Sequence, residues 1–432
     1  MRMPVEEEIA SFVTDLRFSD LDERVINEVK RRIIDSFGVA IASLNSPPSD
    51  AFSGMLKLNH GEARVIGNGS SSPEAASFYN TLLIRYLDFN DTYLSREPLH
   101  PSDMLGCLLS VGSLMRADCK SLITSMVAGY EVSMRLCDSA SLRKHGFDHV
   151  NFLQIGMAAA LSKMLNFNEK QVVNAISIAT VPHIALRESR VGGLSMWKAG
   201  AAANSSRNAT FAALATMNGF TAPPAPISGK FGMKNTVIPD MDMTVFRNMD
   251  RADAIMRSYI KKYPVEYHAQ SAVEIALRLH SKVKPGEISR IEVETYEAGK
   301  SILADEEKWH PENRETADHS LPFVVAAAIA SGNFWLDTYR LIGDGKVSEL
   351  MKKIEVRERR DFTEAYPSTL PTRIVVHSSE GIYQEEMEVP EGHSRLPLSD
   401  EALRRKFVLL TGDGGLFEKL RSCEKLKVDQ IV

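Results

Sequence analysis

Helical periodicity fills roughly the first 250 residues of this 432-residue chain and stops near residue 258. Runs that alternate β-branched and polar residues follow: Ile288–Tyr296, Arg373–His377 and Gln384–Val389. Before the break, Glu23–Ala42 repeats Val25, Ile26, Val29, Ile33, Ile34 and Phe37 at three- and four-residue steps. Ser71-Ser72-Pro73-Glu74 has capping-box spacing with a proline suited to the first turn, so a helix should run from it towards Asp88. A second should begin at Pro101-Ser102 and carry Leu105, Leu108, Leu109 and Met115. Ala158–Met164, Val172–Ala179 and Ala199–Met217 are rich in small and apolar residues, as tightly packed bundle helices are. After the break, helices are expected at Ala269–His280 and Pro322–Ser331, and Ser378–Gly381 should link the last two strands as a hairpin. The tail returns to helical text at Ser399–Leu410 and Gly415–Val428. The expected class is mainly α with an inserted α+β domain. Residues 1–258 form the first part of a helical bundle domain, 259–395 a smaller α+β domain, and 396–432 the bundle's return, with a cleft where the two meet.

A net charge of −5 and a pI near 6.2 provide no general attraction to nucleic acid or an acidic membrane. An anionic ligand must therefore be held by local cations. Cys107, Cys119, Cys137 and Cys423 have neither CxxC spacing nor a zinc-finger pattern, so reduced core cysteines are expected rather than a zinc site, an iron–sulfur cluster or a disulfide framework. The N-terminus carries Glu6, Glu7 and Glu8 and no apolar signal region, and no apolar run reaches membrane-spanning length. A cytoplasmic protein is expected.

Chemistry-bearing residues gather in few places. Leu87-Asp88-Phe89-Asn90-Asp91-Thr92 is followed by His100-Pro101-Ser102-Asp103, across a break in helical periodicity. Asp88 should sit at a helix C-terminus, where the dipole disfavours a carboxylate, and His100 at a helix start, where it disfavours imidazolium. The competing reading is that these are ordinary helix-stop and helix-start residues. His149, in Lys144-His145-Gly146-Phe147-Asp148-His149, suits a cap, a core position or a site. Leu186–Gly200 sets Arg187, Arg190 and Lys198 around two glycines and Ser195, a pattern for either a carboxylate-binding loop or a solvated one. Lys261-Lys262-Tyr263-Pro264-Val265-Glu266-Tyr267-His268 reads as a solvated linker or as a hinge carrying ligand groups. Asp318-His319-Ser320-Leu321-Pro322-Phe323 reads as a helix cap.

Taken in order, LDFNDT with HPSD, then GFDHV, SMWKAGAAANSSRN, KKYPVEYHAQSAVE, DHSLP and VPEGH resemble the MmgE/PrpD family of 2-methylcitrate dehydratases, from about residue 8 to residue 425. The resemblance implies a helical domain with an inserted α+β lid and a homodimer. It places Asp88, Thr92 and His100 in the active-site cleft with His149 opposite. It further implies that Lys261 or Lys262 reaches substrate carboxylates, with Glu266 or His268 beside it. Ser195 stands where some relatives carry lysine, with Lys198 three residues on, and Phe323 where many carry tyrosine.

The implied reaction is loss of water from 2-methylcitrate, a step of propionate degradation, with citrate as a further candidate substrate. Such a site binds a tricarboxylate, removes a proton beside a carboxylate and protonates the departing hydroxide. His100 is the expected base, Asp88 or His149 the acid, with Thr92 orienting, and Arg187, Arg190, Ser195, Lys198, Lys261, Lys262, Glu266 and His268 binding substrate. No cofactor and no metal are expected. The rival readings are a cis-aconitate decarboxylase, an epimerase of a substituted succinate, and a catalytically silent ligand-binding member.

Overall fold

The computed structural model describes residues 3–67, 69–247 and 249–432. The chain is mainly α-helical with a small α+β part, and it divides into two compact units. The first comprises the chain through Val191, Met196–Ser258 and Ser399–Val432, and the second Gly192–Ser195 and Tyr259–Leu398.

In the first unit the helices Cys119–Ser139 and Val150–Met164 are buried on nearly all sides, as their lack of a polar face requires. They approach closely because glycine lies at the crossing: a Cβ on Gly156 would fall 2.6 Å from Ser133 Cβ. The same device joins Pro73–Tyr86 to Leu105–Leu114, where a Cβ on Gly106 would lie 2.1 Å from Thr81 Oγ1 and 2.5 Å from its backbone nitrogen. That contact holds the end of the first helix against the start of the second, the region that carries Asp88 and His100.

Several boundaries differ from the sequence reading. Ser72, not Ser71, caps Pro73–Tyr86, accepting from Ala75 N at 3.4 Å, while Ser71 donates to the carbonyl of Asn59. Pro101–Met104 is a 3-10 turn before the helix proper starts at Leu105, and Met115 lies beyond the helix end and is half-exposed. The final expected helix is confined to Gly414–Arg421, with separate 3-10 turns at Cys423–Lys425 and Val428–Gln430. The C-terminal helix Asp400–Thr411, capped by Ser399, packs on Glu23–Ala42, where Phe407 lies against Gly38. All four cysteines are buried and free. Among the described residues no helix is long and apolar enough to cross a membrane.

The second unit holds a four-stranded sheet in the order Ile354–Glu358, Ile288–Thr295, Thr372–Ser378, Gly381–Met387. The first pair is parallel and the others antiparallel, with a tight hairpin that pairs Ser378 with Gly381. Strand Ile354–Glu358 escapes a reading by alternation, because five residues with only Ile354 and Val356 apolar give little signal. Helices Gln270–His280 and Leu321–Ser331 supply Val273, Ile275, Val324 and Ile329 to a core shared with Ile291, Val293, Ile374 and Val376. Phe323 is fully buried in that core.

Candidate active site

Helix Pro73–Tyr86 ends two residues before Asp88, which takes a left-handed backbone with φ of 49°. This turn directs a buried carboxylate at cations rather than at solvent. Arg85 donates to Asp88 Oδ1 at 2.7 Å, and Lys198 Nζ lies 3.4 Å from Oδ2. Both cations are themselves buried. A carboxylate engaged by a guanidinium and an ammonium is stabilised in its charged form, which suits Asp88 for fixing charges rather than for giving up a proton.

Asp91 ties the two halves of the segment together. Its carboxylate accepts from the backbone N–H of Ser102 at 2.9 Å and from the Tyr130 hydroxyl at 2.7 Å, and Arg32 stands 3.5 Å away. Asn90 donates to Ser102 and to Asp103. Burial pushes the Asp103 carboxyl up to about 7, with Arg85 opposing the shift from 3.7 Å. These contacts deliver His100 to a defined place. Its Nδ1 is 2.9 Å from the Asp91 carbonyl, which can only accept, so Nδ1 carries a proton. The Thr92 hydroxyl is 3.3 Å from the same nitrogen, and His100 Nε2 faces Asp88 Oδ1 at 3.9 Å.

His149 precedes helix Val150–Met164, and its ring lies edge-on to that of His100 with centroids 5.8 Å apart. Its Nδ1 is 3.2 Å from Asp148 Oδ1, while Nε2 is buried and has no hydrogen-bond partner among the described residues. The Asp148 carboxylate is held in turn by Arg190 Nε at 2.9 Å and the Ser189 hydroxyl at 2.6 Å. Burial works against the charge on Asp148, but Arg190 and the Ser189 hydroxyl outweigh it and hold the carboxyl well below the usual range. Burial pushes the His149 imidazole down to about 3; Asp148 pulls the other way, and Arg190, Arg85 and Arg187 add to the depression. The ring is therefore neutral, with its proton on Nδ1 and a bare lone pair on Nε2.

Of the expected cations, Arg190 is spent on Asp148 and on the Lys198 carbonyl (2.8 Å), and Lys198 on Asp88. Arg187 is partly buried and has no ion pair within 4.0 Å among the described residues, and burial together with neighbouring Arg143 lowers its pKa. A guanidinium crowded by like charge is a receptive fork for an incoming carboxylate. Arg190 and Lys198 are thus held by buried carboxylates, while Leu186, Val191, Met196 and Trp197 beside them are exposed.

In the second unit the expected linker is packed. Lys261 is fully buried, the backbone N–H groups of Lys262 and Tyr263 both donate to Gln270 Oε1, and Ile260 N donates to the carbonyl of Gly392. Lys262 pairs with Glu391 at 2.7 Å. Glu266 accepts from the His268 backbone N–H at 2.6 Å, and His268 Nδ1 lies 2.6 Å from the Tyr296 hydroxyl. Ser195 is exposed, and buried Phe323 offers no polar atom. Sequence reasoning left out Arg85, which bears no motif signal inside its helix, and Asp148, whose place directly before His149 was the available clue.

Comparison with known proteins gives these groups a context. The MmgE/PrpD N-terminal domain matches residues 7–245 and the MmgE/PrpD C-terminal domain residues 263–421. The chain is 26% identical to the mitochondrial 2-methylcitrate dehydratase of Yarrowia lipolytica over 90% of its own length and 80% of that protein. It is 26% identical to 2-methylcitrate dehydratase of Cupriavidus necator, covering 92% of this chain and 88% of that one. With the Escherichia coli 2-methylcitrate dehydratase the figures are 25%, 91% and 88%. The chain belongs to the MmgE/PrpD family, whose relatives here support a dehydratase role for it at the level of the family.

Proposed function

We propose that the protein dehydrates 2-methylcitrate to 2-methyl-cis-aconitate by acid–base catalysis without a metal. The observation that carries this reading is the His149 Nε2 lone pair, buried, unpartnered and aimed by Asp148, within one ring contact of His100. His149 takes the proton beside a substrate carboxylate, and the electron pair left on carbon forms the alkene as hydroxide departs. His100, protonated on both nitrogens while it faces Asp88, gives its Nε2 proton to that hydroxide. This assignment reverses the order expected from helix-end dipoles, because burial and three arginines keep His149 neutral whereas His100 faces the Asp88 carboxylate. An arriving trianion raises the basicity of His149 by offsetting Arg190, Arg85 and Arg187. Arg187 receives a substrate carboxylate, Lys198 and Arg85 hold Asp88 charged, and Thr92 orients His100.

The test is a substrate panel of citrate, 2-methylcitrate and cis-aconitate with purified protein, followed by absorbance of the conjugated alkene and by carbon dioxide release, with and without EDTA. Alkene from 2-methylcitrate that survives EDTA supports the reading. Carbon dioxide from cis-aconitate would replace it with a decarboxylase, and loss of activity in EDTA would remove the metal-free mechanism.

A further inference from the structure

Lys406 lies on the buried face of the C-terminal helix Asp400–Thr411, with 4% of its surface exposed. Its ammonium stands 2.6 Å from Asp35 Oδ1 on helix Glu23–Ala42, donates to the Phe89 carbonyl at 2.8 Å and sits 3.7 Å from the centroid of the Phe89 ring. A helix that only had to pack here would be served by leucine or methionine, since a buried ion pair seldom stabilises more than apolar residues of similar size. The carbonyl it meets belongs to the residue after Asp88. The Asp88 backbone is left-handed, a conformation that few residues besides glycine, asparagine and aspartate adopt. Downstream, Asn90 and Asp91 are tied to Ser102, Asp103 and Tyr130. Upstream, the helix ends at Tyr86. Phe89 spans the interval, and Lys406 anchors its carbonyl.

We propose that Lys406 is a positioning residue: by holding the Phe89 carbonyl it fixes the turn that presents Asp88 to Arg85, Lys198 and His100. The C-terminal return thereby supports the reacting segment, 317 residues away in sequence. The inference rests on the assignment of Asp88 and His100 to the reaction. Wild-type turnover of 2-methylcitrate tests the reaction, and the kcat of His100→Ala tests that assignment, both before and separately from the Lys406 variants.

Three variants test the inference. Lys406→Met alone would leave the Asp35 charge buried without its partner, so Asp35→Asn serves as the background. Asp35→Asn keeps the Lys406–Phe89 bond and should retain kcat within about threefold of wild type. Adding Lys406→Met should lower kcat by roughly 10- to 100-fold while KM moves less than about threefold, with circular dichroism unchanged. Lys406→Arg keeps the charge and the fold but replaces a point donor with a wider fork, so it should also lower kcat without a matching loss of Tm. The proposal is overturned if the double variant matches Asp35→Asn in kcat, or if Lys406→Arg turns over at the wild-type rate. It is equally overturned if every loss of kcat is matched by loss of folded protein.

Discussion

Asp148→Asn is the substitution whose consequence follows most directly from the hydrogen bonds. Asp148 Oδ2 receives two strong donors, Ser189 Oγ at 2.6 Å and Arg190 Nε at 2.9 Å, whereas Oδ1 receives longer contacts from Val150 N and His149 Nδ1, both at 3.2 Å, and Arg190 at 3.4 Å. An asparagine amide must keep its oxygen towards the stronger pair, which turns its NH2 towards His149. Nδ1 then becomes the acceptor and the ring proton moves to Nε2, so the lone pair that should take the substrate proton disappears. Loss of a proton-transfer group costs about 10²–10⁴-fold in rate. A tautomer reversed by the same exchange in serine-protease triads falls at the upper end of that range. We therefore expect kcat for 2-methylcitrate to drop by about 10³-fold, with KM changed by less than about fivefold, because Arg187 and Lys198 are untouched. Arg190 loses its countercharge and Tm will fall, so the assay belongs well below the unfolding temperature, with circular dichroism recorded on the same sample. A folded variant with kcat within about threefold of wild type would refute both the tautomer and the role of His149.

Other predictions follow from the same contacts. Arg187→Gln should raise KM by about 10- to 100-fold with little change in kcat, since a hydrogen bond to a charged group is worth about 1.5–3 kcal/mol and this one serves binding; steady-state kinetics decide it. Burial pushes Glu97 up to about 7 from 4.5 while Arg143 N and Ser141 Oγ stabilise its charge. The raised value means the folded state holds this proton more tightly, so its stabilising contribution is full below about pH 4.5 and is lost as pH rises towards 7. Glu97→Gln should therefore gain on wild type between pH 5 and pH 8, by at most about 3 kcal/mol in urea unfolding. Gly106→Ala should cost about 1–3 kcal/mol, because a methyl group would collide with the Thr81 backbone as well as with its hydroxyl; thermal unfolding measures it.

Much of the first unit was legible because its helices announce themselves. Glu23–Ala42 has a clean amphipathic period, and Pro73 marks a first turn. The sheet was legible where alternation ran long, as in Ile288–Thr295, and silent at Ile354–Glu358, whose pairing depends on a partner far away in sequence. Quoted motifs contained Asp88, His100 and His149, but their working states were not in the text. Helix-end reasoning made His100 the base. The Asp91 carbonyl and the Asp148 carboxylate, each a tertiary or loop-dependent partner, decide where the ring protons sit. Lys261 and Lys262 read equally as a solvated linker or as a hinge carrying ligand groups, because Pro264 biases the segment towards extended backbone without revealing its partners. Gln270, Glu391 and the Gly392 carbonyl, supplied from elsewhere in the chain, order that segment.

The central claim is proton abstraction by His149, and the most direct measurement compares wild type with His149→Ala in 2-methylcitrate turnover, followed by alkene absorbance in buffer containing EDTA. Wild type should turn over steadily, and the variant should show a kcat lowered by about 10²–10⁴-fold at nearly unchanged KM. A folded His149→Ala protein that forms the alkene within a few-fold of the wild-type rate would contradict it.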